Sequence, residues 1–217
     1  MAVLHFAYLF DPVAFGHQIH AGLTQGGTTA LRHMAQAALA TRHDTIKEVL
    51  QVLRFDESWL GEDADECDRA EKWLLLMLAA RLTKTTSLGR AGQTPHHLQL
   101  PTLLAEAKLP PAVVQRLLRG EPLHSLLHAQ GLATLAMQLP ALDDYGGWLS
   151  PAQARDLRQI LINAAPNRTI TVPPPYPLPS ESDESFAAKA ACQAWTTAIT
   201  MLDTAIHTQS ALFLILD

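Results

Sequence analysis

Residues 180–217 limit what this chain can fold into more than any other stretch. Ala188, Cys192, Trp195, Ile199, Leu202 and Ile206 recur at alternating steps of four and three, which draws one apolar seam along one face of a helix. Lys189, Gln193, Thr196, Thr200 and Asp203 fall on the opposite side, where they face water. Pro179 and Ser180 stop the preceding segment. Glu181, Asp183 and Glu184 then load the first turn with negative charge, which suits the positive end of a helix dipole. The pattern breaks at His207-Thr208-Gln209-Ser210. Residues 211–216 are apolar throughout, and a run so short reads as a buried strand or as a last turn buried in the core.

Only one other segment reads as a strand, residues 3–10 (VLHFAYLF) at the opposite end of the sequence. Pairing the two ends, parallel or antiparallel, would tie the termini together. The expected architecture is therefore mainly α: a single helical domain over residues 1–217, with a small two-stranded pairing of the N- and C-terminal segments. An apolar fraction of 48% with only 6% aromatics, Ala and Leu dominating, favours helices over a β-sandwich.

Along the chain, Asp11-Pro12 is a cap followed by proline at the first helical position. That helix should run to about Leu23 and stop at Gly26-Gly27. Thr28 or Thr29 caps a second, through Leu39 and Ala40, and Asp44 opens a third with Ile46, Val49, Leu50 and Leu53 on one face. Residues 63–82 form another helix, acidic at its start and apolar on every side from Trp73 to Ala80, so it should cross the core. Residues 83–97 (TKTTSLGRAGQTPHH) are polar and aperiodic and read as a long loop. Short helices follow at 102–108, 111–119, 122–130 and 132–139, each marked off by Pro or Gly. Asp143-Asp144-Tyr145-Gly146-Gly147 reads as a turn, and Ser150-Pro151 opens a helix through Ile162. Residues 169–172 read as a short extended piece, and 173–179 (PPPYPLP) as stiff polyproline-like chain.

A net charge of −5, with sixteen scattered Lys and Arg, argues against an extended nucleic-acid track and against anionic membranes. Cys67 and Cys192 fall inside apolar stripes and read as two free core thiols in a reducing, cytoplasmic setting. The N-terminal apolar run has neither a preceding basic residue nor a small-residue cleavage pattern, so no signal segment is expected.

Three constellations could carry chemistry. Glu121, His124 and His128 would share one face if all three lay on a helix, and two His with a carboxylate suit zinc or iron, with His96 or His97 as a further ligand. No HExxH spacing supports this, so no metal or cofactor is assigned. His17 and His20 stand one turn apart behind Asp11; such a pair could relay a proton, but a partly exposed helix face is the expected reading. Asp143 and Asp144 lack the alternating oxygens of a calcium loop and read as a turn and an N-cap. The G-x-S-x-G, G-x-x-x-x-G-K, G-x-G-x-x-G and C-x-x-C patterns are all missing, which weighs against an enzyme.

Residues 102–139 (TLLAEAKLPPAVVQRLLRGEPLHSLLHAQGLATLAMQL) resemble the helix-turn-helix of phage-repressor-type regulators. The shared features are an Ala-rich helix, a turn at Leu109-Pro110, a helix ending Leu117-Leu118-Arg119-Gly120-Glu121, and a further helical stretch. The resemblance implies that Pro111, Ala112, Val113, Gln115 and Arg116 face DNA. Leu104 stands where that family has a small residue, and Lys108 where it has the turn glycine.

The function expected is a non-catalytic regulatory or protein-binding role, of the inhibitor or immunity-partner kind. Lys84, Arg90, His96 and His97 on the 83–97 loop are the expected contact residues. The alternatives are a DNA-binding regulator through residues 102–139, and a metal-dependent enzyme or metal-binding protein using Glu121, His124 and His128.

Overall fold

The computed structural model describes residues 5–52, 70–87, 107–139, 142–164 and 183–216. Strand β1 (His5–Phe10) leads into α1 (Pro12–Val52), followed by α2 (Ala70–Ala79) and β2 (Thr83–Ser87). The middle of the chain holds α3 (Pro111–Arg119), β3 (Glu121–Pro122), α4 (Leu123–Ala129), α5 (Ala133–Met137), a 3-10 turn (Leu142–Tyr145) and β4 (Gly147–Leu149). Helices α6 (Pro151–Ala164) and α7 (Asp183–Thr208) and strand β5 (Ala211–Leu216) complete it. The chain is mainly helical, as its composition implies.

The two termini do pair. His5 to Phe10 run antiparallel to Leu216 to Ala211 in unbroken register. The pairing is larger than the two strands expected: β5 is the central strand, flanked by β1 and β4, of a five-stranded sheet ordered β2-β1-β5-β4-β3, antiparallel throughout. The added strands are short and leave no periodic trace. β3 has two residues and β4 three, while β2 is the polar TKTTS segment that was expected to begin a loop. Its three threonines suit a pleated edge. β2 pairs with β1 through a bulge between Ala7 and Tyr8.

Strand alternation sorts the core into two layers. Tyr8, Phe10, Trp148, Ala211, Phe213 and Ile215 point to one side, where they pack with α1, α2, α4 and α5. Ala7, Leu9, Leu149, Leu212 and Leu214 point to the other, against α3, α6 and α7. β5 is therefore buried on both faces, which is why its sequence is apolar without a break.

Local signals set the helix boundaries. Asp11 Oδ1 accepts the N–H groups of Val13 and Ala14 and so caps α1. Although α1 is continuous in outline, its backbone leaves helical geometry at Gly26-Gly27 and again at Arg42, giving three pieces where the sequence places three helices. At α6, Ser150 Oγ accepts the Gln153 N–H and Gln153 Oε1 accepts the Ser150 N–H, a reciprocal capping box. Along α2 every residue from Lys72 to Ala79 is buried, as expected of a helix crossing the core. Lys72 lies with its ammonium 5.4 Å from the Trp73 ring centre, and the Arg32 guanidinium is 5.7 Å from the same ring.

On α7 the buried stripe is Trp195, Ala198, Met201, Leu202 and Ala205, with Ile199 and Ile206 half-buried beside it. The stripe is thus rotated from the expected seam toward the small residues. Asp203, expected to face water, instead pairs with Arg158 of α6. Cys67, the side chain of Cys192, the first helix of the helix-turn-helix resemblance, and the extended and proline-rich segments at 169–179 lie outside the described residues. Among those described, no helix is long and apolar enough to cross a membrane.

Candidate functional site

Where α3 hands over to β3 and the 3-10 turn meets β4, a cleft of about 380 Å3 opens at the β3 edge of the sheet. Gln115 and Arg119 reach it from the last turns of α3, Glu121 from β3, and Asp143 and Asp144 from the 3-10 turn. Its floor is closed by tight backbone packing. A Cβ on Gly147 would run into the carbonyl oxygen of Arg119, so only glycine lets β4 lie this close to the α3–β3 junction.

Asp143 organises this corner. One of its oxygens accepts the backbone N–H of His124 at 2.9 Å, and the other meets His124 Nδ1 at 2.7 Å. The residue before α4 is Pro122, which has no side chain able to cap a helix. Asp143, nineteen residues away, supplies the missing cap. The side-chain hydrogen bond to Asp143 holds the His124 pKa above its usual value. Partial burial opposes that rise, while the charge of Asp143 and the carbonyls of Leu139 and Ala136 add to it.

The other polar groups are also committed. Glu121 pairs with Arg116 of α3. Ser125 Oγ donates to the Pro122 carbonyl (2.6 Å) and accepts the Trp148 indole N–H (2.8 Å), so this hydroxyl joins α4 to β4. Glu121 lies on β3 and α4 begins only at Leu123, so the single helical face that a site of Glu121, His124 and His128 would need does not form, and Leu123, Leu126 and Leu127 are the residues of α4 that face the core. Glu121 turns to Arg116, His124 to Asp143, and His128 is exposed at the other end of α4. Among the described residues, no three His, Cys, Asp or Glu side chains converge as a metal site would require.

His17 and His20 are both exposed on α1, in line with the helix-face reading expected of them. His20 Nε2 lies 2.7 Å from the Gln130 carbonyl, and since a carbonyl only accepts, Nε2 carries the proton and ties α1 to the end of α4. Lys84 belongs to β2, opposite Tyr8, rather than to a free loop. Arg90, His96 and His97 lie outside the described residues. Of the residues expected to face DNA, Pro111, Ala112, Gln115 and Arg116 are exposed, while Val113 packs against the second core layer.

Elsewhere, the Tyr8 hydroxyl is buried with no hydrogen-bond partner among the described residues. Burial, and secondarily the charge of Glu48, push its pKa up to about 12, so it stays a neutral phenol at any ordinary pH.

Sequence reasoning placed Asp143 in a turn and gave it a capping role, but could not see which helix it caps. Arg119 entered only as part of the helix-turn-helix resemblance and Asp144 only as part of a turn, and neither was singled out as a contact residue. Neither has an ion-pair or hydrogen-bond partner among the described residues, although both line the cleft. No family model, curated protein or solved structure matches the chain.

Proposed function

We propose that this protein acts by binding another protein, in a regulatory or inhibitor-like role, through the cleft between α3 and the 3-10 turn. One observation carries the reading. The side chains there that are best suited to acid–base or nucleophilic work, His124, Glu121 and Ser125, are each held in internal bonds that build the corner. Arg119 and Asp144, of opposite charge, are left open to a partner on the same cleft. Such an arrangement favours recognition of a surface carrying both signs of charge on a scaffold that does not need to rearrange.

The test is co-purification from a native lysate with the full chain as bait, comparing the parent with the Arg119→Glu/Asp144→Lys double variant. A partner retained by the parent should be lost by the variant, with melting temperature unchanged to within a few degrees because both residues are exposed. Equal recovery by both would remove the cleft as the interface.

A second reading, DNA binding through residues 102–139, is favoured by one feature. Lys108 has φ 56° at the place where the repressor family has its turn glycine, so the turn geometry agrees with the resemblance. Gel retardation that weakens steeply with salt, and weakens further in Arg119→Gln, is the expected outcome. No retarded band at low salt would dispose of it.

A further inference from the structure

Between α1 and α2 lies a second, larger cavity of about 630 Å3, inside the range of about 300–1,000 Å3 common for small-ligand sites. Its floor is made of methionine and alanine: Met34, Ala38, Met77 and Ala80. Its charged lining is Arg42, Arg81 and Asp11. Asp11 is already committed, one carboxylate oxygen accepting two N–H groups of the first turn of α1. Arg81 donates its Nε–H to Gln18 Oε1, and its terminal nitrogens have no partner among the described residues. Arg42, at the second break of α1, has no ion-pair or hydrogen-bond partner among the described residues. A chain of net charge −5 thus gathers two cations against one engaged carboxylate above an apolar floor.

We propose that this groove binds a small amphiphilic anion, a carboxylate on an alkyl chain. The carboxylate sits at Arg42 and Arg81, and the chain lies over Met34 and Met77. Each component has its chemistry. A guanidinium meets a carboxylate with two parallel, charge-assisted hydrogen bonds. Methionine is unbranched and polarisable, so it adapts to a flexible chain better than a branched side chain does. A cationic amphiphile of equal length meets the wrong charge, and an uncharged one forgoes the ion pair. The site shares no residue with the cleft, so it stands or falls separately from the protein-binding reading.

Isothermal titration of the full chain with octanoate, decanoate and dodecanoate, alongside dodecanol and dodecylammonium, tests it below their aggregation concentrations. The expected result is one carboxylate per chain, affinity rising up to about fourfold per added methylene, and dodecylammonium binding at least tenfold more weakly than dodecanoate. Arg42→Gln/Arg81→Gln should weaken dodecanoate by tenfold or more. Ala37→Trp, at an exposed residue lining the groove, should abolish binding with the fold intact by circular dichroism. Absence of saturable binding, equal binding of dodecylammonium, or undiminished binding to Ala37→Trp would each overturn the proposal. So would an arginine variant that melts lower yet binds dodecanoate as before. The two arginines would then serve only the helix ends they adjoin.

Discussion

On one side of β5 stand Ala211, Phe213 and Ile215; on the other, Leu212 and Leu214. The first side meets rings from several elements, Tyr8, Phe10, Phe15, Trp73 and Trp148 among them, with Phe10 and Phe15 edge to face at 6.3 Å. The second side meets α7 through Trp195, Met201 and Leu202, with Ala198 and Ala205 between them. Rings fill the space between sheet and helices on the first side, whereas on the second α3, α6 and α7 pack together and small residues, Ala198 and Ala205, share the buried stripe of α7. A single strand thus supports two layers that are sensitive to opposite errors, loss of volume on one and gain of volume on the other.

The largest effect expected is from truncating the ring side. Phe213 is fully buried, and Phe213→Ala should cost about 3–5 kcal/mol in denaturant unfolding. A cost under about 1 kcal/mol would mean that the rings do not fill that layer. The complementary change is Ala198→Leu on α7, fully buried as well, where extra methylenes should cost about 1–3 kcal/mol. If this variant is as stable as the parent, the layer around Ala198 is not filled.

Each layer also has a helix ending in the same motif with a different residue at the critical position. In α4, Leu132 N–H bonds to Leu127 O and Gly131 N–H to His128 O, with Gly131 at φ 74°. In α7, Ser210 N–H bonds to Ala205 O and Gln209 N–H to Ile206 O, with Gln209 at φ 52°. A left-handed conformation suits glycine and strains glutamine. Gln209→Gly should therefore raise stability by about 0.5–1 kcal/mol, despite losing the Gln209 side-chain bond to Ile206 O. Unchanged or lower stability would show that the strain is already relieved.

The smallest expected effect separates the layers by pH. The ring side carries His124–Asp143, the other Arg158–Asp203. The His124 pKa is raised from 6.5 by folding. Its contribution is therefore fully present below about pH 6.5 and fades as pH rises through the folded-state value. His124→Gln should lower the melting temperature more at pH 5.5 than at pH 8.5, by less than about 1 kcal/mol for so accessible a pair. Arg158→Gln, which removes no histidine, should cost the same at both. Equal losses from His124→Gln at the two pH values would show that only the neutral hydrogen bond matters.

Much of this molecule was legible as sequence, for local reasons. Asp11-Pro12 and Ser150-Pro151 start helices because the cap and the proline act within a turn of one another. The apolar run at the C-terminus forms a strand buried on both faces, paired with the only other strand the pattern offered. The cleft was legible only in part. Glu121 and His124 could be singled out by residue type, but the residues each would bond to were hidden, since those lie on other elements.

The sequence by itself determined where helices begin and break, which segments are buried, and that the two ends pair. Its signals there are periodicity, caps and glycines, all of which act over a few residues. Tertiary structure alone decided the rest. β2 and β4 exist because β1 and β5 present open edges for them to complete, and β3 because β4 does so in turn; the two residues of β3 and three of β4 carry no period of their own. Asp143 became the cap of α4 because Pro122 has no side-chain acceptor to offer. Among the described residues, Arg116 and Arg158 found carboxylates while Arg42 and Arg119 did not. Whether a charge is paired depends on the element folded against it, and spacing along the chain holds no record of that.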